Sequence, residues 1–214
     1  GASLMAAPAA LVIAKILHPE DGEPVTKGDV KMSVEKTDAN GIDAAASGAS
    51  VGLKLALNVG AMLLAFIALL AMFNGILGWG SDLFGITSLL GESLTIEMVL
   101  GWLFAPIAWL IGVPWADAVN MGSLLGTKIV LNEFVAYLKL AEEVSATNIS
   151  PKTIAMATFA LCGFANLSSI AIQIGGIGGL APSRKSDLAK FGVKAVFAGT
   201  LANLMTATFA GMLF

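Results

Sequence analysis

The chain has 214 residues, of which 57% are hydrophobic and 13% charged, with a mean hydropathy of +0.84. Soluble domains carry roughly 25% charged residues, so this composition belongs to an integral membrane protein, and the useful unit of length is the spanning helix of about 20 apolar residues. A net charge of -3 from 12 Lys and Arg against 15 Asp and Glu leaves no basic surface for nucleic acid, while the single Cys162 and the single His18 exclude a disulfide framework and a Cys/His zinc cage within the chain.

Ala2 to Leu17 is the first apolar segment. It lacks the basic lead-in of a signal peptide and carries Lys15 near its far end, so it reads as a helix entered near its start, and the chain as the carboxy-terminal part of a longer protein. Two prolines and a block of acids, His18 to Pro24, stop that helix. Residues 18–43 form a water-exposed connection, and Ala39 to Ser50 a short helix lying at the interface. From Leu55 to Gly80 there are 26 consecutive uncharged residues, about 39 Å of helix at 1.5 Å per residue, the clearest membrane crossing in the chain.

Ser81 to Glu97 holds three acids and no base. Met98 to Trp115 is apolar but interrupted by Gly101, Pro106, Gly112 and Pro114, with Trp102, Trp109 and Trp115 along it. Tryptophan favours the headgroup region, so a helix along the interface and a full crossing both fit.

Residues 117–140 are interrupted by Asp117, Lys128, Glu133 and Lys139 too often for a span that faces lipid. Irregular backbone at membrane depth requires a covering of protein or water, and two half-helices meeting near Asn132-Glu133 satisfy that requirement. The second half-helix of such a re-entrant hairpin presents its first amides and positive dipole end at the tip. A carboxylate there costs roughly 2.5 to 3.5 kcal/mol on insertion scales, so Glu133 is expected to hold a polar ligand or a proton. Its bland alternative is an ion pair with Lys128 or Lys139. Asn148, Ser150 and Pro151 are start signals for the next helix.

Thr153 to Ser183 runs for 31 residues without a charge, too long for one straight span at about 46 Å. The polar run Asn166 to Ser169 and the glycines 175, 176, 178 and 179 are the expected places to unwind. Hydrogen bonding between helices is the alternative use for Asn166 and Ser169, and close helix packing the alternative for the glycines. Arg184, Lys185, Lys190 and Lys194 form the most basic connection, cytoplasmic by the positive-inside rule. Ala195 to Phe214 is the last span. An intramembrane hydrolase is disfavoured because Ser168 and Ser169 have no histidine base nearby in sequence and no HExxH motif occurs.

Two stretches carry a family resemblance: Leu131-Asn132-Glu133-Phe134-Val135-Ala136-Tyr137, and Cys162-Gly163-Phe164-Ala165-Asn166-Leu167-Ser168-Ser169-Ile170. With Phe104-Ala105-Pro106 and Gly112-Val113-Pro114-Trp115 around them, they resemble the concentrative nucleoside transporters, over nearly all of the present chain but only the second half of that family's fold. The resemblance implies an all-α integral membrane protein, half of an inverted-repeat transporter, with a re-entrant helical hairpin and a broken helix. Its parts would be residues 1–50, an apolar helix, acidic connection and interfacial helix; 51–80, a long scaffold helix; 81–115, an external connection and interfacial helix; and 116–214, the hairpin, broken helix and last helix of a transport domain.

It further implies ion-coupled symport of nucleosides by alternating access, in a homotrimer in the plasma membrane, the inner membrane in a bacterium, surrounded by lipid. No cofactor is implied beyond a coupling ion, Na+ or H+, whose site lies in the upstream half. The carboxylate matching Glu133 binds ribose hydroxyls in the family, Asn166 and Ser169 match ribose ligands, Phe164 matches a phenylalanine beside the nucleoside, and Asn132 is either a cap at the tip or a direct contact. The alternative function is an ion-coupled transporter or channel for another small polar solute, with Glu133 in a proton relay.

Overall fold

The computed structural model describes residues 1–23, 38–180 and 182–214. Every regular element among them is helical: α1 (Ala2–Leu17), α2 (Gly41–Leu83), α3 (Ile86–Leu90), α4 (Ile96–Leu110), α5 (Ala118–Val130), α6 (Glu133–Ser145), α7 (Pro151–Leu161), α8 (Leu167–Leu180) and α9 (Lys185–Gly211), with single 3-10 turns at Trp115–Asp117 and Pro182–Arg184. The all-α architecture is the one expected. Most of the acidic connection, residues 24–37, lies outside the described residues.

The chain divides into two units, Glu20–Ala71 and the remainder. In the first, α2 begins with Asn40, whose side-chain oxygen accepts from the amides of Ile42 and Asp43, each at 3.0 Å. This is N-cap chemistry, satisfying two of the amides that have no partner in the first turn. The separate interfacial helix expected at 39–50 is absent: α2 runs without a break from Gly41. The reason is local, since the alanines of this stretch favour helix and its glycines weaken it without stopping it. Leu53, Leu57 and Leu64 are exposed, as befits a helix whose surroundings are apolar.

The second unit holds the remaining helices around a core of Met121, Leu124 and Leu125 from α5, Ala136 and Leu140 from α6, Met156, Ala157, Ala160 and Leu161 from α7, and Leu204 and Ala207 from α9. The pairing of α4 with α5 is unusually close. A Cβ on Gly122 would stand 2.4 Å from the Gly101 carbonyl oxygen, and one on Gly126 would stand 2.4 Å from Leu100 Cβ. Small residues allow the two backbones to touch, the usual packing device of membrane helices. The helix expected to run along or across the membrane at 98–115 is thus the 15-residue α4, laid against the first arm of the hairpin. It is about 22 Å long.

Polar contacts pin the start of α4. The Asn74 side chain of α2 accepts from the Ile96 amide at 2.8 Å and donates to the Glu97 carboxylate at 2.8 Å. Glu97 also accepts from Lys139 of α6 at 2.7 Å. Burial pushes the Glu97 carboxyl up, yet the bonds from Lys139 and Asn74 outweigh it and hold the group below its ordinary range.

The basic stretch 184–194, a connection by its charge, is mostly the first part of α9. Lysines are good helix formers and snorkel readily, so charge density alone does not mark a loop. At 27 residues α9 is, among the described residues, long and apolar enough to cross a membrane.

Candidate functional site

Two interruptions of helix meet at the candidate site. The first is the hairpin tip. After Val130 the chain turns at Leu131, with φ -99 and ψ -93, and at extended Asn132, then re-enters helix at Glu133. Asn132 Oδ1 accepts from the Val135 amide at 3.0 Å, so Asn132 is the N-cap of α6. Glu133 occupies the first helical position, where the partial positive charge of the helix start favours an anion.

The second interruption separates α7 from α8 at residues 162–166. The places expected to unwind are Asn166–Ser169 and the glycines 175, 176, 178 and 179; the break falls earlier, and the glycines lie within α8. Asn166 explains the restart. Its Oδ1 accepts from the Ser169 amide and the Ser168 hydroxyl, both at 2.8 Å, so this asparagine caps α8. Ser169 Oγ donates to the Asn166 carbonyl at 2.7 Å. Gly163 has φ +156, a conformation that side chains rarely adopt, and a Cβ there would also stand 2.8 Å from both side-chain polar atoms of Asn203 on α9, which would have to move.

The two interruptions are joined directly: Asn166 Nδ2 donates to Glu133 Oε2 at 3.0 Å. Asn166 is 1% exposed, Ser169 is also buried, and Glu133 and Asn132 are half-buried. The structure therefore brings Glu133, Asn166, Ser169 and Asn132 to one place. Phe164, in contrast, is 72% exposed and lines a cavity of about 610 Å³ together with Ser169, Gln173 and Asn203. Glu133 is not part of that lining.

The ion-pair alternative for Glu133 is not what forms. Lys139 pairs with Glu97, and Lys128, 1% exposed, donates to the Ala160 carbonyl at 2.9 Å. Two residues near the site do not stand out in the sequence as site residues. Lys128 is visible there as an interruption of an apolar stretch and as a candidate ion-pair partner of Glu133. Asn203, buried in α9, leaves its Nδ2 without a hydrogen-bond partner among the described residues; the one signal for it in sequence is an amide inside the last span.

At the base of the hairpin, Asp117 Oδ2 accepts from the Ser150 amide at 3.0 Å and from the hydroxyls of Ser150 and Thr153 at 2.6 Å. Ser150 is in turn the N-cap of α7. Burial pushes the Asp117 carboxyl up, but these donors prevail and hold it below the ordinary range. Among the described residues no three His, Cys, Asp or Glu side chains converge as metal ligands would.

Chemically, an ionised carboxylate has about four acceptor positions, and Asn166 occupies one on Glu133. The remainder suit a pair of hydroxyls, with the Asn166 amide fixing the orientation of the carboxylate.

Residues 1–211 match the family described as the Na+ dependent nucleoside transporter C-terminus. An uncharacterized transporter of Bacillus subtilis, YutK, is 57% identical over 212 residues, which cover 99% of this chain and 51% of that protein. The nucleoside permease NupC of Helicobacter pylori is 47% identical over 214 residues, 99% of this chain and 49% of the permease. The human sodium/nucleoside cotransporter 1 is 38% identical over 227 residues, 100% of this chain and 34% of its own. Solved structures of CNTnw are similar as well. The inward-facing substrate-bound state gives a TM-score of 0.84 at 49% identity, covering 99% of this chain and 48% of that one; an intermediate state gives 0.87 at 48% identity, covering 99% and 50%; outward-facing states are similar too. The chain spans about half the length of the bacterial relatives it matches. It belongs to the sodium-dependent nucleoside transporter family, of whose fold it is the carboxy-terminal part, and so to a family of membrane transporters and not of enzymes.

Proposed function

We propose that the chain supplies the ribose-binding part of an ion-coupled nucleoside symporter that works by alternating access. The observation that carries this reading is the 3.0 Å contact between Asn166 and Glu133, which gathers a carboxylate, an amide and the Ser169 hydroxyl where the hairpin tip meets the broken helix. A carboxylate accepts from vicinal hydroxyls and an amide both donates and accepts, so the cluster suits a ribose. Phe164, exposed beside the break, offers an aromatic face to a base. In this reading Glu133, Asn166 and Ser169 bind substrate, Phe164 covers it, and Asn132 holds the tip.

The working protein in this reading is a multi-pass homotrimer of the plasma membrane, the inner membrane of a bacterium, with the hairpin re-entrant and sodium or a proton as coupling ion. The similarity of this chain to CNTnw in several transport states supports alternating access. The test is uptake of labelled uridine into vesicles holding the full-length parent protein, under a sodium or a proton gradient imposed separately. Uptake driven by one gradient and lost in Glu133→Gln is the expected result. Absence of nucleoside uptake under both gradients overturns the substrate assignment and favours another small polar solute.

A further inference from the structure

An α-helix that stops leaves its last four carbonyls without intrahelical partners. At the carboxyl end of α7 these are the carbonyls of Thr158, Phe159, Ala160 and Leu161; Ala160 and Leu161 are fully buried, where an unpaired polar group is costly, while Thr158 lies at the exposed side of the helix end. Two are satisfied by the local chain: the Cys162 amide donates to Phe159 at 3.2 Å and the Gly163 amide donates to Leu161 at 2.9 Å. The other two are satisfied from the hairpin, one from each arm. Lys128 of α5 donates its ammonium to Ala160 at 2.9 Å, and Tyr137 of α6 donates its hydroxyl to Thr158 at 2.8 Å.

Lys128 and Tyr137 lie on either side of the tip in sequence, five residues before Glu133 and four after it. Their two bonds hold both arms of the hairpin to the end of α7, and Asn166 follows that end by five residues. We infer that Lys128 and Tyr137 form a latch that positions the Glu133 carboxylate against Asn166, and so sets the selectivity for ribose hydroxyls without either residue touching the substrate. This inference rests on the reading of Glu133 as a substrate ligand.

The chemistry of each donor suits its place. A cation is favourable at the negative end of a helix dipole, and the ammonium of Lys128 is buried there on the Ala160 carbonyl, with Glu133 near enough to attract it but outside ion-pair distance. Its burial makes the bond to Ala160 hard to replace by water. Tyr137 reaches its carbonyl with a neutral hydroxyl, so its bond can be removed by substitution without stranding a charge.

The latch is tested by uridine binding to the full-length parent protein, wild type against Tyr137→Phe, Lys128→Met, Glu133→Gln and the Tyr137→Phe/Glu133→Gln double variant. Tyr137→Phe is expected to weaken uridine binding about fivefold, the worth of one ordinary hydrogen bond, and to shrink the preference for uridine over 3′-deoxyuridine. In the Glu133→Gln background it should have little further effect, because the latch acts through that carboxylate. Equal weakening in both backgrounds, or unchanged binding in Tyr137→Phe and Lys128→Met while Glu133→Gln weakens it, overturns the latch and leaves the proposed function standing.

Amide hydrogen exchange of residues 158–166 in the same variants needs no ligand. Faster exchange in Tyr137→Phe supports the latch, and unchanged exchange overturns it. Wild-type protein that fails to bind uridine overturns the nucleoside reading, and with it the selectivity role, whatever the exchange shows.

Discussion

Asn166 Nδ2 and Glu133 Oε2 lie 3.0 Å apart although 33 residues separate them in the chain. One caps the helix that resumes after a break and the other opens the second arm of a hairpin, so this bond fixes the relative position of two helix starts. Both dipoles place positive potential near the carboxylate. A carboxylate held in this way is prepared to accept hydroxyls without first being reoriented.

Replacing that carboxylate by its neutral isostere should reveal its part in binding. Glu133→Gln in the full-length parent is expected to weaken uridine binding at least tenfold, about 1.4 kcal/mol. Isothermal titration with uridine measures it, and unchanged affinity removes Glu133 from direct contact with substrate.

Asn166→Ala removes the cap of α8 as well as the partner of Glu133. The Ser169 amide loses its bond in a buried setting, at about 1 to 3 kcal/mol for a group left unsatisfied, and the half-buried Glu133 carboxylate loses a partner as well. The variant should therefore melt at lower temperature even without substrate, whereas Glu133→Gln should melt close to wild type. Thermal unfolding of the purified protein, followed with and without uridine, separates the two; equal melting of Asn166→Ala and wild type would show that water replaces the cap.

Gly122→Ala adds one methyl where α4 and α5 touch. The new Cβ would stand 2.4 Å from the Gly101 carbonyl oxygen and 2.8 Å from the Ala105 amide nitrogen, backbone atoms that cannot turn aside. Separation of the helices should cost about 1 to 3 kcal/mol, the usual range for overpacking, and lower the melting temperature. A melting curve that matches wild type would mean that α4 slides without loss.

Asp117 gives the chain a dependence on acid. Its carboxyl titrates below the ordinary range when folded, because Ser150 and Thr153 donate to it. A depressed folded pKa contributes stability that is complete above the unfolded value, about 3.9 for an aspartate, and that is lost as pH falls through the folded value. Melting temperature followed from pH 7 downward should fall more steeply in the acid range for wild type than for Asp117→Asn. Parallel curves would show that the Asp117 bonds do not depend on its charge.

Much of the fold can be read from local chemistry. Ala2–Leu17 forms where an apolar run is stopped by Pro19 and acids, α6 starts at the Asn132-Glu133 signal, and α7 starts at Ser150-Pro151. Each depends on capping and propensity within a few neighbouring residues. Composition likewise determined the apolar, membrane-protein class, and the two polar stretches around Glu133 and Asn166 stand out by their place inside apolar runs.

Other features depend on what a segment meets. The glycines 175, 176, 178 and 179 could have ended a helix, yet α8 continues through them, while the break falls at 162–166, where Gly163 sits against Asn203 of α9. The partner of each buried charge is equally undecided in sequence: Lys128 and Lys139 are both candidates for Glu133, and packing gives Lys128 to the Ala160 carbonyl, Lys139 to Glu97, and Asn166 to Glu133. Local sequence governs bonds within a helical turn. Contacts between residues tens of positions apart form only where packing brings two helix ends together, and that packing decided which polar residues meet in the candidate site.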